Sequence, residues 1–215
     1  MKHPICIVLF ALGAVACKAS EPAPTASTSS TEKESASAAP APTPKAIDPE
    51  SLKTLTLDPA ASKFNFVAAK ITKKHDGAFK QYSGTATVVG GELHSIVVEV
   101  ETPSVEVDDP KLTEHLKTAD FLDVEKFPKA TFKSLGITKK PVDGATHEVT
   151  GELTLHGVTQ SITFPATINV TPTSVTASGE VTIDRQKFAV TYPGMPDDLI
   201  KDDVVLSPSF VFVQK

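Results

Sequence analysis

Histidines, paired carboxylates and a single arginine are the residues whose types invite a chemical reading in this 215-residue chain. His75, His115, His147 and His156 are potential metal ligands, because neutral imidazole is a common ligand of zinc and related ions. Their spacing contains no compact pair such as His-x-x-x-His, and no cysteine stands near them. No metal site is therefore expected. His156 precedes Gly157 and reads as a turn residue at a strand end, while His115 sits between Leu112 and Leu116 and reads as a donor to backbone. The pairs Asp108-Asp109 and Asp202-Asp203 are the arrangement that acid–base catalysis uses. Asp109 precedes Pro110, however, and so fits a helix cap, and the second pair falls in a charged loop. There is no Gly-x-Ser-x-Gly element and no glycine-rich phosphate loop. Arg185, the sole arginine, is either an anchor for a polar head group or the partner of Asp184 or a neighbouring strand. No catalytic residue and no enzyme activity are expected.

The two cysteines belong to a different chemistry. Lys2 followed by the apolar run Ile5 to Ala16 has the charge and length of a secretory signal, and is too short to span a bilayer. Ala14-Val15-Ala16-Cys17 resembles the box at which bacterial lipoproteins are acylated and cleaved, with Ala14 in place of the usual leucine. Cys6 leaves with a signal of residues 1–16, so Cys17 is then unpaired, which lipidation explains. Residues 17–46 are almost entirely Ala, Pro, Ser, Thr, Lys and Glu, a composition that cannot bury enough apolar surface to order itself. At about 3.1 Å per residue such a tether reaches on the order of 90 Å when stretched. Lys18, in place of an aspartate after the acylated cysteine, favours the outer membrane, facing the periplasm.

What remains, residues 47–215, suffices for one domain with a sizeable core. The net charge of −5 is mild and both signs are interspersed, so nucleic acid is not an expected partner. Apolar residues alternate with polar ones over long stretches: Ile96, Val98 and Val100; Val149, Leu153 and Leu155; Ile162, Phe164, Ala166, Ile168 and Val170; Val175, Ala177, Gly179, Val181 and Ile183. Period-two alternation marks antiparallel strands with one buried face. Gly90-Gly91 and Asp143-Gly144 are hairpin signals. Strands are expected near 52–58, 63–71, 81–89, 93–103, 129–138, 146–155, 158–171, 174–185 and 203–214, with one short helix near 109–118. Eight or nine such strands favour a closed meander, which leaves no exposed edge.

Several motifs are also similar to those of a known family. Gly77-Ala78-Phe79, Glu114-His115-Leu116, Asp120 to Pro128, Thr131-Phe132, Thr150 to Thr159 and Asp184-Arg185-Gln186-Lys187-Phe188 resemble, in order, elements of the YceI-like, polyisoprenoid-binding family. The resemblance implies a mainly β, antiparallel lipocalin-like barrel around a long apolar channel that takes isoprenoid or quinone-type lipids. In such a channel Phe66, Phe79, Leu116, Phe121, Phe132, Leu155, Phe164 and Phe188 are the expected lining, with His115 and Arg185 available to a head group. Three departures stand out. Leu112 and Thr113 occupy positions where the family often has Arg-Asp, Ala189 replaces a glycine, and Leu122 replaces a phenylalanine.

Periodicity alone leaves a solid core and a lined channel equally open; the resemblance favours the channel. The leading expectation is a tethered, non-catalytic carrier in the cell envelope. Its partners would be a hydrophobic small molecule and the membrane, with a homodimer as an open option. A quinone-linked role using His115 and His156, and a filled barrel acting through its surface, are the rivals.

Overall fold

The computed structural model describes residues 52–142 and 144–215. The expected signal, Cys17, the tether and residues 47–51 of the domain lie outside them. The elements run β1 (Leu52–Leu57), β2 (Lys63–Ala69), β3 (Lys74–Phe79), β4 (Tyr82–Val89), β5 (Glu92–Glu101), β6 (Val105–Val107), α1 (Pro110–Leu116), β7 (Lys129–Val142) and β8 (Ala145–Leu155). They continue with β9 (Val158–Val170), β10 (Ser174–Gly179), β11 (Val181–Asp184), β12 (Gly194–Met195), β13 (Asp198–Leu199) and β14 (Asp203–Val213).

The long alternating runs become the staves of a closed, antiparallel eight-stranded barrel in the order β1-β4-β5-β7-β8-β9-β10-β14, with β14 returning to β1. Ladders of β14 with β2, β2 with β3 and β3 with β6 extend the wall at one end. Two-residue loops join the strands where the sequence supplies backbones able to take positive φ. Gly90 and Gly91 (φ 59° and 84°) do this between β4 and β5, and His156 and Gly157 (φ 50° and 75°) between β8 and β9.

Three differences from the expected strands have physical causes. The stretch read as one strand over 174–185 breaks at Glu180, and both halves, β10 and β11, pair with β14. β3 escaped the pattern because Lys73, Lys74 and Asp76 interrupt its apolar alternation, although Phe66↔Gly77 and Phe64↔Phe79 set its register against β2. β12 and β13 are too short to show any period.

Helix α1 forms as its cap requires. Asp109 accepts hydrogen bonds from the backbone N–H of Lys111 (2.8 Å) and Leu112 (3.3 Å), and Pro110 occupies the first turn. The chain then winds back through 117–128 across one end of the barrel. The other end, where the chain enters at β1 and leaves at β14, is solid: Leu57, Ala86, Leu93, Val175 and Phe212 are all buried there.

Ala189 closes the 3₁₀ turn Arg185–Phe188 with φ 59° and ψ 20°. A Cβ disfavours this left-handed conformation, which explains why glycine suits the position. Ala189→Gly is expected to stabilise the fold by about 0.5–1 kcal/mol, the relief of strain exceeding the added freedom of the unfolded chain. A rise in the urea midpoint checks this; an unchanged or lower midpoint contradicts it.

An apolar cavity and the clamp at its rim

Inward positions on the barrel alternate between bulky and very small residues, and the small ones leave the centre unfilled. Ala68, Ala130, Ala166, Ala177 and Gly179 all face a cavity of about 200 Å³ whose exposed surface is apolar throughout. An engineered apolar cavity of roughly 150 Å³ in another protein stays dry and admits benzene, so a space of this size and lining suits an apolar group better than water.

Aromatic rings form much of the wall. Phe64 and Phe66 each lie 5.4 Å from Phe79, and Phe132 lies 5.8 Å from Phe164. Several rings need a glycine beneath them. A Cβ at Gly77 would come within 2.3 Å of the Phe66 ring, and one at Gly151 within 2.5 Å of Phe132. The Thr150-Gly151-Glu152 motif therefore makes room for an aromatic wall residue.

The burial of β9 shows where the cavity opens. Its inward residues Ala166 and Ile168 are buried, whereas Ile162 and Phe164 nearer its start are only half-buried. The same half of β9 lacks a ladder on one side among the described residues, since β10 pairs only with Ala166–Val170. Pro165, which has no N–H to give, marks the change. The 3₁₀ turn occupies the gap, and Gln160 Nε2 donates to the Lys187 carbonyl at 3.1 Å.

Of the ten expected contact residues, the structure brings eight to the cavity wall: Phe66, Phe79, Leu116, Phe121, Phe132, Leu155, Phe164 and Arg185. His115 and Phe188 are not part of the wall. The His115 ring points away to Asp120, Nε2 to Oδ2 2.8 Å, and packs edge-on against Phe121 and Tyr192. Its partner is thus a carboxylate and not the expected backbone group. Phe188 is buried beneath the 3₁₀ turn. Phe64 and Phe210, which share strand faces with Phe66 and Phe212 and were open to either a core or a channel role, also reach the wall, whereas sequence reasoning missed the small residues; their positions in the period-two pattern were the available signal. It also missed Val190 and Ile200, which belong to no long pattern.

Arg185 is 5% exposed, and its guanidinium is committed to structure. Nε donates to the Lys201 carbonyl (3.1 Å), Nη1 to Val190 (2.7 Å), and Nη2 to Ile200 (3.3 Å) and to Asp202 Oδ1 (3.1 Å). Asp184, the other expected partner, instead accepts from the Gln186 N–H. Arg185 thus clamps the returning segment 190–202 over the barrel rim. His156 Nδ1 lies 3.3 Å from the Phe188 carbonyl and its ring packs on Phe127, again outside the cavity.

The β12–β13 hairpin is held to the β2–β3 turn by Asp198, which pairs with Lys70 and accepts from the Thr72 hydroxyl at 2.9 Å. The Lys70 hydrogen bond, aided by Thr72, holds the Asp198 carboxyl below its usual range. At the same turn, the His75 hydrogen bond does likewise for Asp108, Nδ1 to Oδ1 2.7 Å. No helix among the described residues is long and apolar enough to cross a membrane.

The model of the YceI-like domain family matches residues 55–212, nearly the whole barrel. The chain belongs to the YceI-like family. A UPF0312 protein of Pseudomonas putida (strain W619) is 41% identical over 95 residues, 43% of this chain and 48% of the relative. The chain thus spans about half the length of that relative. A UPF0312 protein of Pseudomonas savastanoi pv. phaseolicola (strain 1448A / Race 6) is 33% identical over 147 residues, 65% of this chain and 73% of the relative. Among solved structures, Burkholderia cenocepacia BcnA superposes with a TM-score of 0.64 at 26% identity, covering 72% of this chain and 98% of BcnA. A polyisoprenoid-binding domain from Saccharophagus degradans shares the fold, with TM-score 0.59, 16% identity, and coverage of 77% of this chain and 99% of that domain.

Two outcomes follow from the rim of this YceI-like barrel. Arg185→Ala removes the donor from the buried Val190 carbonyl and from the partly buried carbonyls of Ile200 and Lys201, and is expected to cost about 2–4 kcal/mol, read from the urea midpoint, with Arg185→Lys failing to restore it. A loss below about 0.5 kcal/mol would show that the clamp is dispensable. Asp198 has a folded-state pKa below its unfolded value, so its contribution is complete above the ordinary 3.8 and is lost as pH falls through the lower folded value. Asp198→Asn should therefore flatten the acid limb of stability against pH and leave its slope near neutrality unchanged.

Proposed function

We propose that this protein is a non-catalytic lipid-binding module of the cell envelope. It takes the apolar chain of a long isoprenoid or similar amphiphile into its barrel and sequesters or carries it. The observation that supports this reading is the apolar cavity of about 200 Å³ inside a closed barrel. Each methylene moved from water into such a space contributes about 0.8 kcal/mol, so a chain binds firmly without specific hydrogen bonds. Membership of the YceI-like family agrees with this, as does the shared fold of the polyisoprenoid-binding domain from Saccharophagus degradans. Acylation at Cys17 and a proline-rich tether over 17–46 would hold the barrel at the outer membrane, facing the periplasm.

The rival readings fare worse on particular observations. A quinone-linked role for His115 and His156 needs a ring nitrogen in the cavity, and neither residue belongs to its wall. A filled barrel needs inward side chains that meet at the centre, which Ala130, Ala166 and Ala177 do not.

Protein purified from a bacterial host and extracted into organic solvent is expected to release a stoichiometric isoprenoid or fatty amphiphile by mass spectrometry. An empty extract after exposure to envelope lipids, with no saturable uptake of a polyprenyl probe, would return the weight to the filled barrel.

A further inference from the structure

A lipid carrier must deal with its cargo's head group as well as its chain, and the charges around this cavity constrain that head group. Arg185 is the sole charged residue on the wall. Its charge is already paired with Asp202, and the carbonyls of Lys201, Val190 and Ile200 take three further bonds. Four of the five guanidinium N–H groups are thereby occupied. Because the exposed wall is apolar throughout, Arg185 meets the cavity with its carbon stem and not with its polar head.

The charged groups packed around Arg185 do not change this. Asp202 accepts from both Arg185 and Gln186, and Asp184 caps the 3₁₀ turn. Lys187 and Lys201 are exposed, and Asp198 on the facing hairpin is paired with Lys70. Across the rim, His115 is taken by Asp120 and is not part of the wall. A carboxylate or phosphate drawn inside would find no free cation, and burying an unpaired ion costs several kcal/mol. An uncharged hydroxyl or carbonyl costs far less, and a chain with no polar group costs nothing.

From this geometry we infer that the cavity selects uncharged lipids: it admits alcohols, quinones and other neutral amphiphiles and rejects ionised acids of the same chain. The inference rests on the lipid-binding reading above and narrows it to a ligand class. Arg185, the residue that looked most like an anion anchor, is the reason for the selectivity, since its partners are all internal.

A pair of ligands that differ only in the head tests this on the purified protein, by displacement of a neutral fluorescent probe. Hexan-1-ol and hexanoic acid, little larger than the benzene that an apolar cavity of roughly 150 Å³ admits, are short enough to enter whole. At pH 8 the alcohol is expected to bind at least about 30-fold more tightly than the ionised acid. From pH 8 to pH 5 the acid should gain about tenfold or more as its own carboxyl becomes protonated, while the alcohol changes less than about twofold. Equal affinities at pH 8 would overturn the inference and leave lipid binding intact, because the charge of the head would then make no difference to what the cavity accepts. Displacement by neither compound would remove the lipid-binding reading itself and the inference with it.

Discussion

Closure of the barrel depends on β14, which carries ladders on both edges. Along one edge it pairs with β10 and β11, and along the other with β2 and, at Val213 and Phe212, with β1. A sheet that fails to close leaves a row of unpaired N–H and C=O groups, which invites association with other chains. The eleven residues of β14 therefore decide whether the preceding strands form a container or an open, sticky sheet. They also set its shape. Phe212 fills the solid end, Phe210 and Leu206 face the cavity, and Val204 reaches the open rim. Strand closure and cavity depth are thus properties of one segment.

A barrel of this size can fill its interior with its own side chains. Here it does not, because small residues occupy inward positions in the middle layer. Leaving the space empty forfeits packing, and in other proteins each ångström cubed of cavity costs about 24 cal/mol. The surrounding wall is also held by features that touch no ligand. Ion pairs cross the outer face between Lys129 and Glu99 and between Lys140 and Glu148. The Tyr82 hydroxyl donates to the Ser62 carbonyl at 2.6 Å, and the Ser134 hydroxyl accepts from the Ile96 N–H at 2.8 Å. A guest that binds only the folded form would return stability by mass action. A cargo of the proposed kind would be coupled to the fold in that sense without any contact specific to it.

The barrel was legible in the sequence because period-two alternation is long and its turns carry glycine. Strands β4, β5, β7, β8, β9 and β14 lie within a few residues of where alternation put them. Asp109 and Pro110 likewise announced α1, since a cap is a local interaction between neighbouring residues. The cavity was only half legible. Alternation says that Phe164 and Ala166 point inward, but not whether opposite walls meet, since that depends on side-chain volumes summed across strands far apart in sequence. The rim was least legible. The segment 190–202 has no period, and its place is fixed by an arginine whose partners, the carbonyls of Val190, Ile200 and Lys201, leave no trace in residue type.

Arg185 illustrates why a rare charged residue is an ambiguous sign. Buried among strands, a guanidinium has to find acceptors for its donors, and backbone carbonyls serve as well as a ligand would. Segment 190–202 needs a fixed course over the rim, and its carbonyls need donors; one arginine meets both needs. That solution removes charge from the cavity and leaves a container that is polar only at its edge. With one end closed by Phe212 and Val175 and the other bordered by α1 and the clamped segment, the apolar chain of an amphiphile of the proposed kind would enter from the rim. The opening of the cavity at this one end therefore follows from where the barrel places its side-chain volume and its one arginine.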